Sequence, residues 1–296
     1  MKTIDMATRA VSYFPADGQF IQIGNPSKPL HYVRWGKGPT VVLLHGDGGS
    51  TYDWTMANFN SLARHYDVIA IDRPGFGFSE TLPNQSIPAQ VVAIRAGLRQ
   101  LGVHEPVLVG HSRGGEVAML FAEEYPNEIA GVVTLGGACF NTSDLEPAWQ
   151  YGLLQTPLLG KSLAHTVYIP IGKPMVKAGL DLAFAPEGSS PDAYTAAYAA
   201  LLMRPQTLLN WAIDHDSAVL DTLIIPRYGF IRVPFVIVNG QADRNVSVAM
   251  AHRYSRMIPG ARLIEVPGAG HKLMFHHPGV VERAISMVLQ KAPAKT

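Results

Sequence analysis

Ser112 is the residue whose surroundings could do chemistry. It lies in Gly110-His111-Ser112-Arg113-Gly114, with a glycine two positions before it and two after. The run Pro106-Val107-Leu108-Val109 leads in and reads as a short buried strand; Gly114 to Glu124 leads out and reads as a helix that ends before Pro126. A serine caught between a strand and a helix in so tight a turn has a strained backbone, with Oγ lifted above the sheet edge and the positive helix N-terminus beneath it. A serine hydroxyl is a poor nucleophile at neutral pH and needs a base within hydrogen-bond reach. That base needs a third group to hold its tautomer and stabilise the imidazolium. His271 and Asp243 are the candidates, because each follows a predicted strand, as Ser112 does. Functional groups of an open α/β sheet gather at the carboxyl ends of strands. The chemistry implied is covalent acyl transfer, with Ser112 attacking a carbonyl, His271 moving the proton and Asp243 orienting His271.

The elements that must position these residues can be followed along the chain. Phe20-Ile21-Gln22-Ile23 and Leu30 to Trp35 alternate around Gly24-Asn25-Pro26-Ser27 and read as an antiparallel edge pair. Thr40 to Leu44 and Asp67 to Ile71 are continuous apolar strands, as burial on both faces requires. Residues 52–65 carry a mixed helical pattern, and Ser86 with Pro88 opens a helix with Val91, Ile94, Leu98 and Leu101 on one face. Strands at 129–135, 233–238 and 262–266 follow, with helices at 247–258 and at the end of the chain, where Val281, Ala284, Ile285 and Val288 share a face. Strands alternating with helices predict an α/β fold with a doubly wound, mostly parallel sheet. The alternation breaks between 141 and 230, where Pro147, Pro157, Pro170, Pro174, Pro186, Pro191, Pro205 and Pro226 should chop the chain into short helices. The expected organisation is therefore a core domain from 1–140 and 231–296, with a helical cap inserted at 141–230.

The strand-turn-helix around Ser112 resembles the nucleophile elbow of the α/β-hydrolase family, and the order Ser112, Asp243, His271 is that family's chain order. His45-Gly46-Asp47 resembles its His-Gly-x motif, and Asp72-Arg73-Pro74-Gly75-Phe76-Gly77-Phe78-Ser79 resembles a second signature loop. The likeness runs from about residue 30 to 288 apart from the cap, where it is only architectural. It implies that the backbone N–H groups of Asp47 and Arg113 bind the oxyanion of the tetrahedral intermediate. Their side chains, a carboxylate beside a guanidinium, are expected to pair across the pocket wall. The resemblance implies a cofactor-independent serine hydrolase. An ester of a small, apolar molecule is the expected substrate, with a C–C bond hydrolase, a lactonase, a perhydrolase, a lyase or a ligand receptor on the same fold as alternatives.

Several other residues could compete. Asp144 follows the strand before the cap and is the alternative acid. His111 should pack below the serine, Asp72 should fix a turn, and Asp214 and Asp216 should be solvated. His276-His277 reads as capping, and His31, His65, His104, His165, His215 and His252 read as surface or core histidines. Gly160-Lys161-Ser162 lacks the upstream glycine of a phosphate loop, and His104-Glu105 lacks a zincin's second histidine. The single cysteine, Cys139, offers neither an internal disulfide nor a metal cluster, and no metal or cofactor is implied. A net charge of +1 over 296 residues gives no basic field for nucleic acid. With 47% hydrophobic and 16% charged residues, no membrane-length apolar run and no signal-peptide pattern, the default expectation is a cytoplasmic globular protein acting on a small molecule.

Overall fold

The computed structural model describes residues 18–137, 153–156, 159–217 and 225–291. Its core is an 8-stranded sheet in the order β1-β2-β4-β3-β5-β6-β7-β8. β1 (Gln19–Ile23) and β2 (Lys28–Trp35) form the antiparallel edge pair, with Phe20 opposite His31. β2 also runs antiparallel to β4 (Asp67–Ile71). β3 (Thr40–Leu44), β4, β5 (Val107–His111), β6 (Gly131–Leu135), β7 (Phe235–Gly240) and β8 (Arg262–Val266) are parallel. Each strand expected from the sequence is present.

The strands' near-continuous apolar character follows from cover on both faces. Val42, Leu44, Ile69, Ile71 and Leu108 point to one side. There they meet Val91, Ile94 and Leu98 of one helix and Val117, Leu120 and Phe121 of another. Val41, Leu43, Val68, Ala70 and Val109 point to the other side and meet Trp54, Phe59, Leu62, Val281, Ala284, Ile285 and Val288. Each large aliphatic side chain so buried contributes roughly 1.5–3 kcal/mol relative to exposure.

The helices supplying this cover are α1 (Tyr52–Thr55), α2 (Phe59–Leu62), α3 (Ile87–Gln100) and α4 (Arg113–Glu124) in the first half of the chain. The mixed pattern at 52–65 thus resolves into two single-turn helices. Between β6 and β7 the described residues form α5 (Leu159–Leu163), a π-helical turn (Ala164–Tyr168), α6 (Ile169–Phe184), α7 (Asp192–Leu202) and α8 (Pro205–Ser217). The last helices are α9 (Val248–Met257), α10 (Leu273–His276) and α11 (Pro278–Lys291). Pro170 and Pro174 do not break the chain as expected, since helical structure runs without a gap from 159 to 184. The wider π turn before Pro170 relieves the clash its ring would make with the carbonyl of Thr166 in an α-helix.

β5 and α4 meet where the backbone has no room for side chains. A Cβ at Gly110 would stand 2.2 Å from the Gly114 carbonyl oxygen, and one at Gly114 would stand 2.3 Å from the Leu44 carbonyl oxygen. Gly114→Ala must push α4 away from the end of β3, and it is expected to lower the thermal midpoint by about 5 °C or more. Thermal unfolding followed by circular dichroism checks this; an unchanged midpoint would mean that α4 can slide without loss.

Candidate active site

Ser112 joins β5 to α4 with φ 50° and ψ −121°. A non-glycine residue held there costs about 1–3 kcal/mol, which the packing on either side must supply. Its N–H donates to the Leu135 carbonyl at 2.9 Å, and its carbonyl accepts from Gly115 N–H at 2.8 Å, so the turn is fastened to β6 and to the helix.

Two strands further along the sheet, Nδ1 of His271 lies 2.7 Å from Oδ2 of Asp243. The other carboxylate oxygen, Oδ1, accepts from the N–H groups of Asn245 (2.8 Å) and Val246 (2.9 Å), so the carboxylate cannot turn away. Nδ1–H is thereby the donor, and Nε2 is left as the basic nitrogen of His271. The histidine loop is held from above by residues at the end of α6: His271 N–H donates to the Ala183 carbonyl at 3.1 Å, and Gly270 N–H to Glu187 Oε2 at 2.8 Å. The His271 ring lies 4.6 Å from that of His111, the neighbour of Ser112 in the chain. Nε2 of His111 donates to the His271 carbonyl at 3.1 Å. Burial, then the His271 and Lys272 charges, push the His111 pKa well below the ordinary histidine value. Asp144 lies outside the described residues.

The loop after β3 approaches the same turn, since a Cβ on Gly46 would lie 3.0 Å from the Ser112 Cβ. Asp47 Oδ2 accepts from Trp211 Nε1 at 2.8 Å, and the Asp47 carbonyl accepts from the Tyr198 hydroxyl at 2.7 Å. Arg113 Nη1 donates to Glu116 Oε2 at 2.6 Å, one turn along α4. Burial opposes the Arg113 charge, but the carboxylates of Glu116, Asp214 and Asp47 outweigh it and raise its pKa. Glu116 thus accepts a hydrogen bond from Arg113, and the charge of Asp47, the partner the sequence suggested, also acts on the guanidinium.

Asp72 fixes its turn as expected, accepting from Thr51 N–H at 2.5 Å and Phe78 N–H at 2.8 Å, with His31 Nδ1 at 2.7 Å. Burial alone would raise its pKa, but His31 and the other partners hold it below the usual carboxylate range.

Asp214 corrects the sequence reading. It is not solvated but 1% exposed, with Oδ2 2.8 Å from Arg73 Nη2 and Oδ1 2.8 Å from Gln90 Nε2. The side chain of Asp216 lies outside the described residues. A second buried group was also missed. Lys272, next to His271, donates to Asp53 Oδ2 at 3.1 Å and to the Tyr194 hydroxyl at 2.8 Å, and that hydroxyl donates to Asp53 Oδ1 at 2.8 Å. The only signal for it was the adjacency of Lys272 to His271. Of the aromatic residues between 141 and 230, Phe184 and Tyr194 pack together over Phe275, whereas Tyr228 belongs to the layer beneath the sheet. Trp149 and Tyr151 fall outside the described residues. Among the described residues no group of three or more His, Cys, Asp or Glu could hold a metal ion, and no helix is long and apolar enough to cross a membrane.

A family model for the alpha/beta hydrolase fold matches residues 39–278, and the chain belongs to this family. The protein is a hydrolase. It is 26% identical over 261 residues to a 2-hydroxy-6-oxo-6-phenylhexa-2,4-dienoate hydrolase of Burkholderia cepacia, covering 86% of this chain and 88% of the relative. It is 28% identical over 278 residues to a 2-hydroxy-6-oxononadienedioate/2-hydroxy-6-oxononatrienedioate hydrolase of Burkholderia vietnamiensis, covering 88% and 90%. A mutant of the meta-cleavage product hydrolase CumD superposes with TM-score 0.74 at 20% identity, covering 93% of this chain and 98% of that one. Est816, described as an N-acyl homoserine lactone degrading enzyme, superposes with TM-score 0.71 at 23% identity, covering 90% and 99%. The two structural likenesses speak for the shared fold.

His45 gives the site a pH dependence. Burial, then the Arg73 charge, lowers its pKa to about 4 from 6.5. The unfolded chain takes up this proton near pH 6.5 and the folded chain does not, so stability is intact above that pH and falls as pH drops towards 4. The loss from His45 alone is about 3 kcal/mol at the low end, and His111 adds in the same direction. Urea unfolding between pH 7 and 4 measures it; a flat profile would mean that both rings accept protons in the folded state.

Proposed function

We propose that the chain is a serine hydrolase of carboxylic esters that works through an acyl-enzyme, with Ser112 as nucleophile, His271 as base and Asp243 as its orienting acid. The observation that carries this is the 2.7 Å contact between His271 Nδ1 and Asp243 Oδ2, beside a strained serine turn. His271 Nε2 removes the Ser112 proton as Oγ attacks the carbonyl carbon. The oxyanion is received by the N–H groups of Asp47 and Arg113. The protonated imidazole then gives its proton to the leaving alcohol, and the acyl-enzyme remains. Water, activated by the same His271, attacks the acyl carbon, and the acid leaves as Ser112 regains its proton. The helices between β6 and β7 act as the cap over this crevice, and their aromatic side chains favour an apolar substrate. No cofactor takes part in this scheme.

Charge balance supports a neutral substrate. Arg113 is matched by Glu116, Arg73 by Asp214 and Lys272 by Asp53. A substrate carboxylate entering here would meet cations already compensated, together with Asp47. Relatives named as hydrolases of 2-hydroxy-6-oxo-dienoates favour a second reading, cleavage of a C–C bond by the same three residues.

Ser112→Ala, Asp243→Asn and His271→Ala are each expected to lower kcat by about 10³-fold or more with the fold retained. A serine-directed phosphonate is expected to add once, at Ser112; labelling elsewhere removes the assignment. Steady-state kinetics on a short p-nitrophenyl ester and on 2-hydroxy-6-oxo-6-phenylhexa-2,4-dienoate separates the two readings. The ester is expected to have the higher kcat/KM by about tenfold or more, equivalent to about 1.4 kcal/mol in the barrier. The reverse order would select C–C cleavage.

A further inference from the structure

The Gly46–Asp47 peptide is gripped on its carbonyl side by buried groups that the catalytic scheme leaves unused. Arg73, 0% exposed, donates from Nη2 to the Gly46 carbonyl at 3.1 Å and from Nε to the His45 carbonyl at 3.1 Å. Its backbone N–H donates to His45 Nε2 at 2.9 Å. A backbone N–H can only donate, so Nε2 of His45 is the bare nitrogen and Nδ1 carries the proton. Nδ1–H in turn donates to the same Gly46 carbonyl at 2.8 Å. That carbonyl therefore accepts from a guanidinium and an imidazole together, with Gly49 N–H at 3.4 Å as a third, weaker donor.

A trans peptide is planar and its C=O and N–H point opposite ways. Pinning the Gly46 oxygen from one side therefore aims the Asp47 N–H to the other. Donors on a carbonyl also draw electron density from the amide, which makes its N–H a stronger donor. Arg73 itself is held by Asp214 of α8 and by Gln90 Oε1 of α3 at 2.9 Å, while its guanidinium lies 4.7 Å from the Phe76 ring centroid. Two more groups of the helices between β6 and β7, Tyr198 and Trp211, hold the next carbonyl and the Asp47 side chain.

We infer that Arg73, fixed by Asp214, is a positioning residue that aims and polarises the Asp47 N–H as an oxyanion donor, so that a helix of the inserted segment sets part of the transition-state stabilisation. The inference rests on the serine-hydrolase reading. Interactions that strengthen only when the oxyanion forms change kcat more than KM. A role confined to holding the fold together would have no such selectivity.

The test uses two variants of the full chain. The double change Arg73→Met with Asp214→Leu replaces the buried pair by apolar side chains, a replacement that folded proteins often tolerate. Arg73→Lys keeps the charge and loses the two-pronged grip. Each is compared with the unaltered enzyme in hydrolysis of a p-nitrophenyl ester, in inhibition by an aryl trifluoromethyl ketone, whose adduct with Ser112 carries an oxyanion, and in inhibition by the corresponding alcohol, which carries none. The expected result is a fall in kcat of about 10- to 100-fold, a rise of similar size in the ketone Ki, and KM and alcohol Ki within about threefold. Equal weakening of ketone and alcohol, or a ketone Ki that does not move, overturns the inference. Crystal structures of the variants give a readout independent of activity: the Gly46–Asp47 peptide is expected to rotate, and a peptide that stays in place along with an unmoved ketone Ki overturns it. Ester turnover that survives Ser112→Ala overturns the serine-hydrolase reading instead, and the orientation of the peptide still decides whether Arg73 aims it.

Discussion

The structure around Ser112 depends on a backbone crossing that admits no side chains. β5 must turn into α4 within the space of Ser112 while the end of β3 passes directly over the first turn of the helix. Gly114 lies so close to the Leu44 carbonyl that even a methyl group would collide with it. This closeness brings the loop after β3 against the serine. Because β3 and β5 are hydrogen-bonded neighbours in a parallel sheet, their carboxyl ends emerge side by side, and the loops leaving them share one space. The positive φ of Ser112 is a local cost of this arrangement, and the surrounding sheet, buried on both faces, supplies the stability to sustain it.

The parts legible in the sequence were those whose cause is local. A strand buried on both faces must be apolar throughout, so Thr40 to Leu44 and Asp67 to Ile71 announce themselves. A turn without room for Cβ must use glycine, so the elbow does too. Asp243 and His271 stood out because each follows a predicted strand, and the fold brings the His271 ring against the Asp243 carboxylate. The helix through Pro170 and Pro174 was less accessible. A proline lowers helix propensity wherever it stands, and only the path of the chain reveals that a π turn absorbs the first of them. The two single-turn helices at 52–62 were blurred for a different reason. Trp54, Phe59 and Leu62 face the same apolar layer, so the hydrophobic spacing continues across a break in the helix.

The buried charges were the least legible, and their physics explains why. An aspartate in a polar-looking helix is solvated unless a cation from elsewhere reaches it, and Arg73, which does reach Asp214, lies 141 residues away in the chain. Lys272 and Asp53 are 219 residues apart. Neither pairing leaves a trace in local periodicity or motif spacing. Removing either member of such a pair strands a charge in a medium that solvates it poorly, which costs several kcal/mol, whereas the intact pair adds little net stability. What such pairs do contribute is register. Arg73 can satisfy its donors only if β4's loop, α3, α8 and the loop after β3 stand in one arrangement, because it sits in the first and its partners come from the other three. Lys272 likewise requires α1, α7 and the histidine loop to meet. The apolar layers would tolerate some sliding of helix on sheet; directional bonds to buried charges do not, and they are concentrated beside the residues whose geometry must be held.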